Sequence, residues 1–172
     1  MSKGTTREAS PREATLQRGA THSVKRKATL GNMTTKDQAL LALRPQIDTE
    51  PTVEQSPEAF QNGTLRSILK LHNDLFTSLF RNYLVKRKQG GPDGRFARIT
   101  QPEQVAYIDH TIRTDQKFKN LLVGTVVGQF TTAELSAFLA DEAELTRRIV
   151  GMIIDRLSSQ LTLLIRADQA AE

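Results

Sequence analysis

The feature that most constrains the fold is a run of apolar residues, spaced three and four positions apart, that begins at Leu65. That spacing lines up one face of an α-helix, which has about 3.6 residues per turn. The run therefore predicts a long amphipathic helix with Asn62 or Thr64 as its N-cap. Its apolar members are Leu65, Ile68, Leu69, Leu75, Phe76, Leu79, Phe80 and Tyr83.

A second long helix is predicted near the C-terminus, where Thr131 and Glu134 have the spacing of a capping box. Apolar residues at helical spacing follow, so we expect one uninterrupted helix to about residue 168, roughly 55 Å long at about 1.5 Å per residue. The other predicted helices are too short to cover its apolar face, which indicates self-association through it. The expected oligomer interface consists of Leu145, Met152, Ile153, Leu157, Leu161 and Leu164.

Two further helices are predicted between these. Thr100 and Glu103 form a second capping box, and Thr114 and Asp115 are expected to cap the next helix. Residues 123–128 have the composition of a strand, but the helical period around them favours helix.

The predicted fold is all-α: an elongated helical bundle of three to four helices, including a long C-terminal helix, preceded by a disordered basic N-terminal arm. The arm is residues 1–34, a short docking helix is residues 35–44, an acidic, proline-containing linker is residues 45–58, and the helical domain is residues 59–172. The docking helix is too short to be stable alone, so we expect it to pack either on the chain's own helical domain or in a groove of another protein.

Charge is distributed in blocks within a chain whose net charge is +5. Residues 1–36 are basic, residues 37–58 acidic, residues 59–101 basic again and residues 102–172 mildly acidic. In the arm, Lys25, Arg26 and Lys27 form the densest cationic run. Such a run can neutralise the phosphates of a nucleic acid, and the alternative is a tail that only aids solubility.

The second basic block contains a glycine-rich segment with five cations. Pro92 and three glycines predict that the first long helix ends here in a loop. The alternative is a β-hairpin over residues 83–100. In either case the expected polyanion contacts are Lys86, Arg87, Lys88, Arg95 and Arg98.

Signals of catalysis or cofactor binding are absent from the sequence. The chain has no cysteine, no nucleotide-binding glycine motif and no nucleophile motif. His22 lies in the arm, His72 is expected as a hydrogen-bonded interior residue, and neither His72 nor His110 has a second histidine at helical ligand spacing. We therefore expect no enzymatic activity, no cofactor and no metal site. No apolar stretch is long enough for a membrane span, and no secretory signal is recognisable.

These features favour a non-enzymatic structural or assembly protein, of the kind found in virions and nucleoproteins. It would form a homo-oligomer through its helical domain and contact nucleic acid or neighbouring subunits with its basic arm and loop. Binding would be directed at the backbone, and the protein would be cytoplasmic or within a particle. The alternative is a helical adaptor that binds another protein through the arm and the 35–44 helix, without nucleic acid.

Overall fold

The computed structural model describes residues 34–49, 52–53 and 56–165. Within these ranges the secondary structure is helical and contains no strand, which confirms the all-α prediction. Nine helices are present in the described ranges, more than the three to four expected. Helix α2 consists of Pro57–Phe60, a π-helical turn at Gln61–Leu65, and Arg66–Leu71. The others are α1 (Thr35–Leu43), α3 (Asn73–Lys86), α4 (Arg95–Arg98), α5 (Gln101–Thr114), α6 (Gln116–Val127), α7 (Thr132–Ala140), α8 (Glu142–Ser158) and α9 (Leu161–Ile165).

Helix starts follow the local capping signals. Each of α1, α5 and α7 begins at a threonine whose backbone N–H donates to the acidic side chain three positions later. Asp115 caps α6 by accepting a hydrogen bond from the backbone N–H of Phe118 at 3.0 Å. Residues 123–127 are helical, as the surrounding period predicted.

The first long helix differs from the prediction at its start and in its middle. It begins at Pro57, because Ser56 Oγ accepts a hydrogen bond from the Ala59 N–H at 3.0 Å and proline suits the first helical position. It is then interrupted at His72, which has φ −100° and ψ 20°. The expectation of a hydrogen-bonded histidine is wrong, since Nε2 of His72 is buried and has no hydrogen-bond partner among the described residues.

The predicted single C-terminal helix is also wrong, because it consists of α7, α8 and α9. The break between α7 and α8 lies at Asp141, with φ −141° and ψ 50°. The break after α8 is tied to the start of α3, because Gln160 Nε2 donates to Asn73 Oδ1 at 2.6 Å and Asn73 Nδ2 donates to Gln160 Oε1 at 3.1 Å. Helix α9 consequently packs against α3.

The chain covers the apolar face of α8 by itself. Helix α8 contacts the π-helical turn of α2 and helices α3, α5, α6, α7 and α9. Of the six residues expected at an oligomer interface, four belong to the core of the single chain and two are half-buried against it. The assignment is therefore corrected for those four, whose exposed fractions are 3% for Leu145, 0% for Ile153, 1% for Leu157 and 1% for Leu164. The half-buried pair is Met152 and Leu161.

Helix α1 packs on the start of α7, the first of the two alternatives for the docking helix. The guanidinium of Arg44 donates to both carboxylate oxygens of Glu134, at 2.5 and 2.8 Å, and to the carbonyl oxygen of Gln129 at 2.6 Å. The carboxylate of Asp37 accepts a hydrogen bond from the backbone N–H of Thr132 at 3.0 Å. No helix in the described part of the chain is long and apolar enough to cross a membrane.

Candidate polyanion-binding loop

Residues 86–98, here called the basic loop, join α3 to α5 and include α4. Lys86 ends α3, Arg87 and Lys88 follow it directly, and Arg95 and Arg98 are the first and last residues of α4. The segment is thus a helix end, a turn and a short helix, and the β-hairpin alternative is wrong.

The end of α3 is closed by a Schellman motif. The Lys88 N–H donates to the carbonyl of Val85, and the Gln89 N–H donates to the carbonyl of Leu84, both at 2.9 Å. This motif requires a left-handed residue at its turn, a position usually held by glycine. Here Lys88 occupies it, with φ 57°. Lys88 therefore has a strained left-handed backbone conformation, which residues other than glycine rarely adopt.

The rest of the turn depends on a close approach of its backbone. The Phe96 N–H donates to the carbonyl of Gln89 at 3.2 Å, and the Gly94 N–H donates to the carbonyl of Gly91 at 3.1 Å. A Cβ on Gly94 would lie 2.3 Å from the carbonyl oxygen of Gly90, closer than van der Waals contact allows. Glycine at position 94 is therefore needed to bring α4 back beside the end of α3.

Phe96 anchors α4 in the core. Its side chain is only 2% exposed, and its ring packs edge-on against Phe80 and Tyr107, with centroids 6.1 and 5.6 Å away. Gln104 Nε2 donates to the carbonyl of Phe96 at 2.8 Å, which joins α4 to α5. The positions of Arg95 and Arg98 are thus set by a rigid support.

Arg87 differs from the other cations because it has an acidic partner. Its guanidinium donates to Asp115 Oδ2 at 2.9 Å and lies 5.2 Å from the centroid of the Tyr83 ring. The Tyr83 hydroxyl donates to the same carboxylate oxygen at 3.0 Å. The Phe118 N–H and these two donors hold the pKa of Asp115 below its usual value despite partial desolvation. Arg87 therefore forms a structural contact between the end of α3 and the start of α6.

The other four cations of the basic loop are available to a ligand. Lys86, Lys88, Arg95 and Arg98 are exposed, and none of them forms an ion pair with another described residue. The structure thus brings four accessible positive charges onto one connection between helices. Lys25, Arg26 and Lys27, the predicted contacts in the arm, lie outside the described residues.

A groove of about 370 Å³ lies beside the basic loop, between α4 and α5. Sequence reasoning did not find it, because its residues come from three segments and share no motif. The spacing of Glu103, Tyr107 and His110 on one face of α5 was the only signal in the sequence. The groove is lined by Gln89, Arg95, Phe96, Glu103, Tyr107 and His110, with Ile99 and Ala106.

In the described ranges, no group of three or more histidine, aspartate or glutamate side chains could hold a metal ion.

Comparisons with known protein families, with curated proteins and with solved structures find no match for this chain.

Proposed function

We propose that this chain is a non-enzymatic structural protein that holds the phosphate backbone of a nucleic acid with its basic loop. The observation that carries the proposal is the exposure of Lys86, Lys88, Arg95 and Arg98 on one rigid connection, without acidic partners among the described residues. Phosphates are the ligands that such a cluster favours, since each contact releases a condensed counterion.

Recognition would be independent of sequence. Phe96 is the one aromatic residue of the basic loop, and it is buried, so it is not available to a base. Lysine and arginine side chains that contact phosphates position a protein but carry no sequence information. The arm cations Lys25, Arg26 and Lys27 would add further phosphate contacts.

The decisive experiment measures affinity for a generic duplex as a function of salt. In the loop variant, Lys86, Arg95 and Arg98 become Gln and Lys88→Gly preserves the left-handed turn. The slope of log affinity against log salt should fall by about 0.9 for each phosphate that the variant no longer neutralises, equally for unrelated sequences. An arm variant, with Lys25, Arg26 and Lys27 changed to Gln, should flatten the slope independently.

A matched control removes the same number of exposed cations elsewhere, at Lys36, Arg66, Lys70 and Arg147. This control changes net charge equally but leaves the basic loop intact, so its slope should stay close to that of the unchanged protein. Equal effects of the two sets would mean that net charge alone attracts the duplex. A slope that the loop variant leaves unchanged would contradict the proposal.

Self-association is the second part of the proposal, and it now rests on α7. Most of the apolar face of α8 is covered. On α7, Leu135 and Leu139 lie one turn apart and remain exposed, with exposed fractions of 39% and 61%. Light scattering at low and high salt, with and without the duplex, measures the assembly. A monomer whose mass is unaffected by the duplex would contradict both parts.

The adaptor alternative is favoured by one observation on α1. Leu43 is 63% exposed, although Asp37 and Arg44 are used in contacts with α7. A protein partner would then bind the outer side of α1. Loss of that binding in Leu43→Ser, with duplex affinity unchanged, would support this function.

A further inference from the structure

The groove between α4 and α5 combines an apolar wall with polar side chains at its edge. Phe96 is buried beneath it, and the half-buried ring of Tyr107 lies against Phe96 at an interplanar angle of 65°. Gln89 and His110 add hydrogen-bonding groups from two different segments. A cavity of about 370 Å³ is at the small end of ligand sites, which span about 300–1,000 Å³, and so suits a single ring system.

The charge of the groove differs from that of the basic loop. Arg95 and Glu103 both line it, so their formal charges cancel, whereas Lys86, Lys88 and Arg98 lie outside its lining. The carboxylate of Glu103 accepts hydrogen bonds from the Thr100 hydroxyl and N–H, at 2.7 and 2.8 Å, which favour its ionised form. A phosphate in the groove would be repelled by this negative charge, whereas a neutral planar group would not be repelled.

We propose that this groove binds an unpaired base of a single-stranded nucleic acid whose backbone phosphates lie on the basic loop. The inference rests on the proposed function and adds a preference for single strands. A base within a duplex is stacked on both faces and cannot enter the groove, whereas an unpaired base can stack on an aromatic side chain. Stacking is tolerant of base identity, so the preference concerns strandedness and not sequence.

Tyrosine fluorescence gives a direct test, because the chain has two tyrosines and no tryptophan. Tyr83→Phe removes the other tyrosine but keeps an aromatic ring at this position. The centroid of that ring lies 4.5 Å from the centroid of the Phe118 ring. In this background, emission from Tyr107 should be quenched by a single-stranded oligodeoxyadenylate. The duplex of the same length should bind without that quenching.

Affinities test the same inference independently. Tyr107→Leu should lower affinity for the single strand about tenfold and leave affinity for the duplex unchanged, since stacking on an aromatic ring is worth about a factor of ten or more per base. Tyr107→Phe should restore single-strand affinity. The loop variant should lower affinity for both nucleic acids. Unchanged duplex affinity in Tyr107→Leu also shows that this variant is folded.

The outcomes separate this inference from the proposed function. Equal affinity for both nucleic acids, with no quenching of Tyr107 and no effect of Tyr107→Leu, would overturn the base site alone. Loss of affinity for both nucleic acids in Tyr107→Leu would assign Tyr107 a structural role and also overturn it. If neither nucleic acid binds, the proposed function and the base site both fail.

Discussion

Arg44 and Glu134 form an ion pair that is shielded from water, with 6% and 16% of their side chains exposed. Glu134 also accepts hydrogen bonds from the hydroxyl of Thr64 at 3.0 Å and from the N–H of Thr131 at 2.8 Å. One carboxylate thus connects α1, α2 and the start of α7. The pair therefore joins the end of α1 to α7.

Replacing this carboxylate should be costly. Glu134→Ala leaves the guanidinium of Arg44 buried without its counter-charge, and the loss of one partner of a buried pair costs about 3–5 kcal/mol. We expect the free energy of unfolding in urea, followed by far-UV circular dichroism, to fall by about 3 kcal/mol.

Asp109→Asn is the matched control, because the pair between Asp109 and Arg113 is exposed. Exposed pairs contribute about 0.5 kcal/mol or less, so this change should scarcely affect stability. Equal losses in the two variants would show that the Arg44–Glu134 pair does not join α1 to the domain.

At the scale of elements, helix starts follow local chemistry, whereas helix breaks do not. A capping box requires only residues three positions apart, so α1, α5 and α7 begin where the sequence indicates. The break after Ser158 coincides with a contact to a distant segment. The bonds between Gln160 and Asn73 join residues 87 positions apart, and no local pattern reports such a contact.

The turn of the basic loop supplies a prediction at this scale. Gly94→Ala would force the carbonyls of Gln89 and Gly90 away, because the new Cβ would lie 2.4 and 2.3 Å from their oxygens. Overpacking of this kind costs about 1–3 kcal/mol. The free energy of unfolding should fall by that amount in urea titrations.

Gly151→Ala provides the opposite case in α8. A Cβ there would meet no atom within 4 Å, and alanine is favoured over glycine in a helix by about 1 kcal/mol. This variant should therefore be more stable than the unchanged protein. If both substitutions stabilise, the turn is not as tightly packed as the structure indicates.

At the scale of the molecule, two of the carboxylates that join α1 to α7 make stability depend on pH. The Thr132 N–H, as the largest effect, holds the pKa of Asp37 below its ordinary value of 3.8. Burial opposes the ionisation of Glu134, but hydrogen bonds from Arg44 and Thr131 outweigh it and hold its pKa below 4.5. Both groups are therefore ionised in the folded protein at neutral pH.

A lowered pKa in the folded state stabilises the protein above the pKa of the unfolded state and loses that effect as pH falls through the folded value. We expect these two groups to contribute a constant stability down to about pH 5 and a decreasing one at lower pH. Urea titrations across an acid pH series measure this. Below about pH 5, the free energy of unfolding should change less steeply with pH in Glu134→Gln than in the unchanged protein. An identical pH dependence would contradict the role of Glu134.

Burial in the whole molecule explains why the oligomer prediction failed at four positions. The apolar period of α8 was recognised correctly, but a period shows only that a face must be covered. Whether another copy or the same chain covers it depends on where the neighbouring helices turn. Ile153, with no exposed surface, lies inside the single chain because α3, α5 and α6 of the same chain pack against α8.

The amino-acid sequence by itself determined the all-α class, the caps of α1, α5 and α7, and the cations of the basic loop, because each depends on residues within a few positions of one another. The tertiary structure alone decided the pairing of Arg44 with Glu134 across 90 positions, the partner of Arg87 and the groove beside Tyr107. These features arise from contacts between distant segments, whose free energies are set by packing and desolvation. Local spacing contains no information about either.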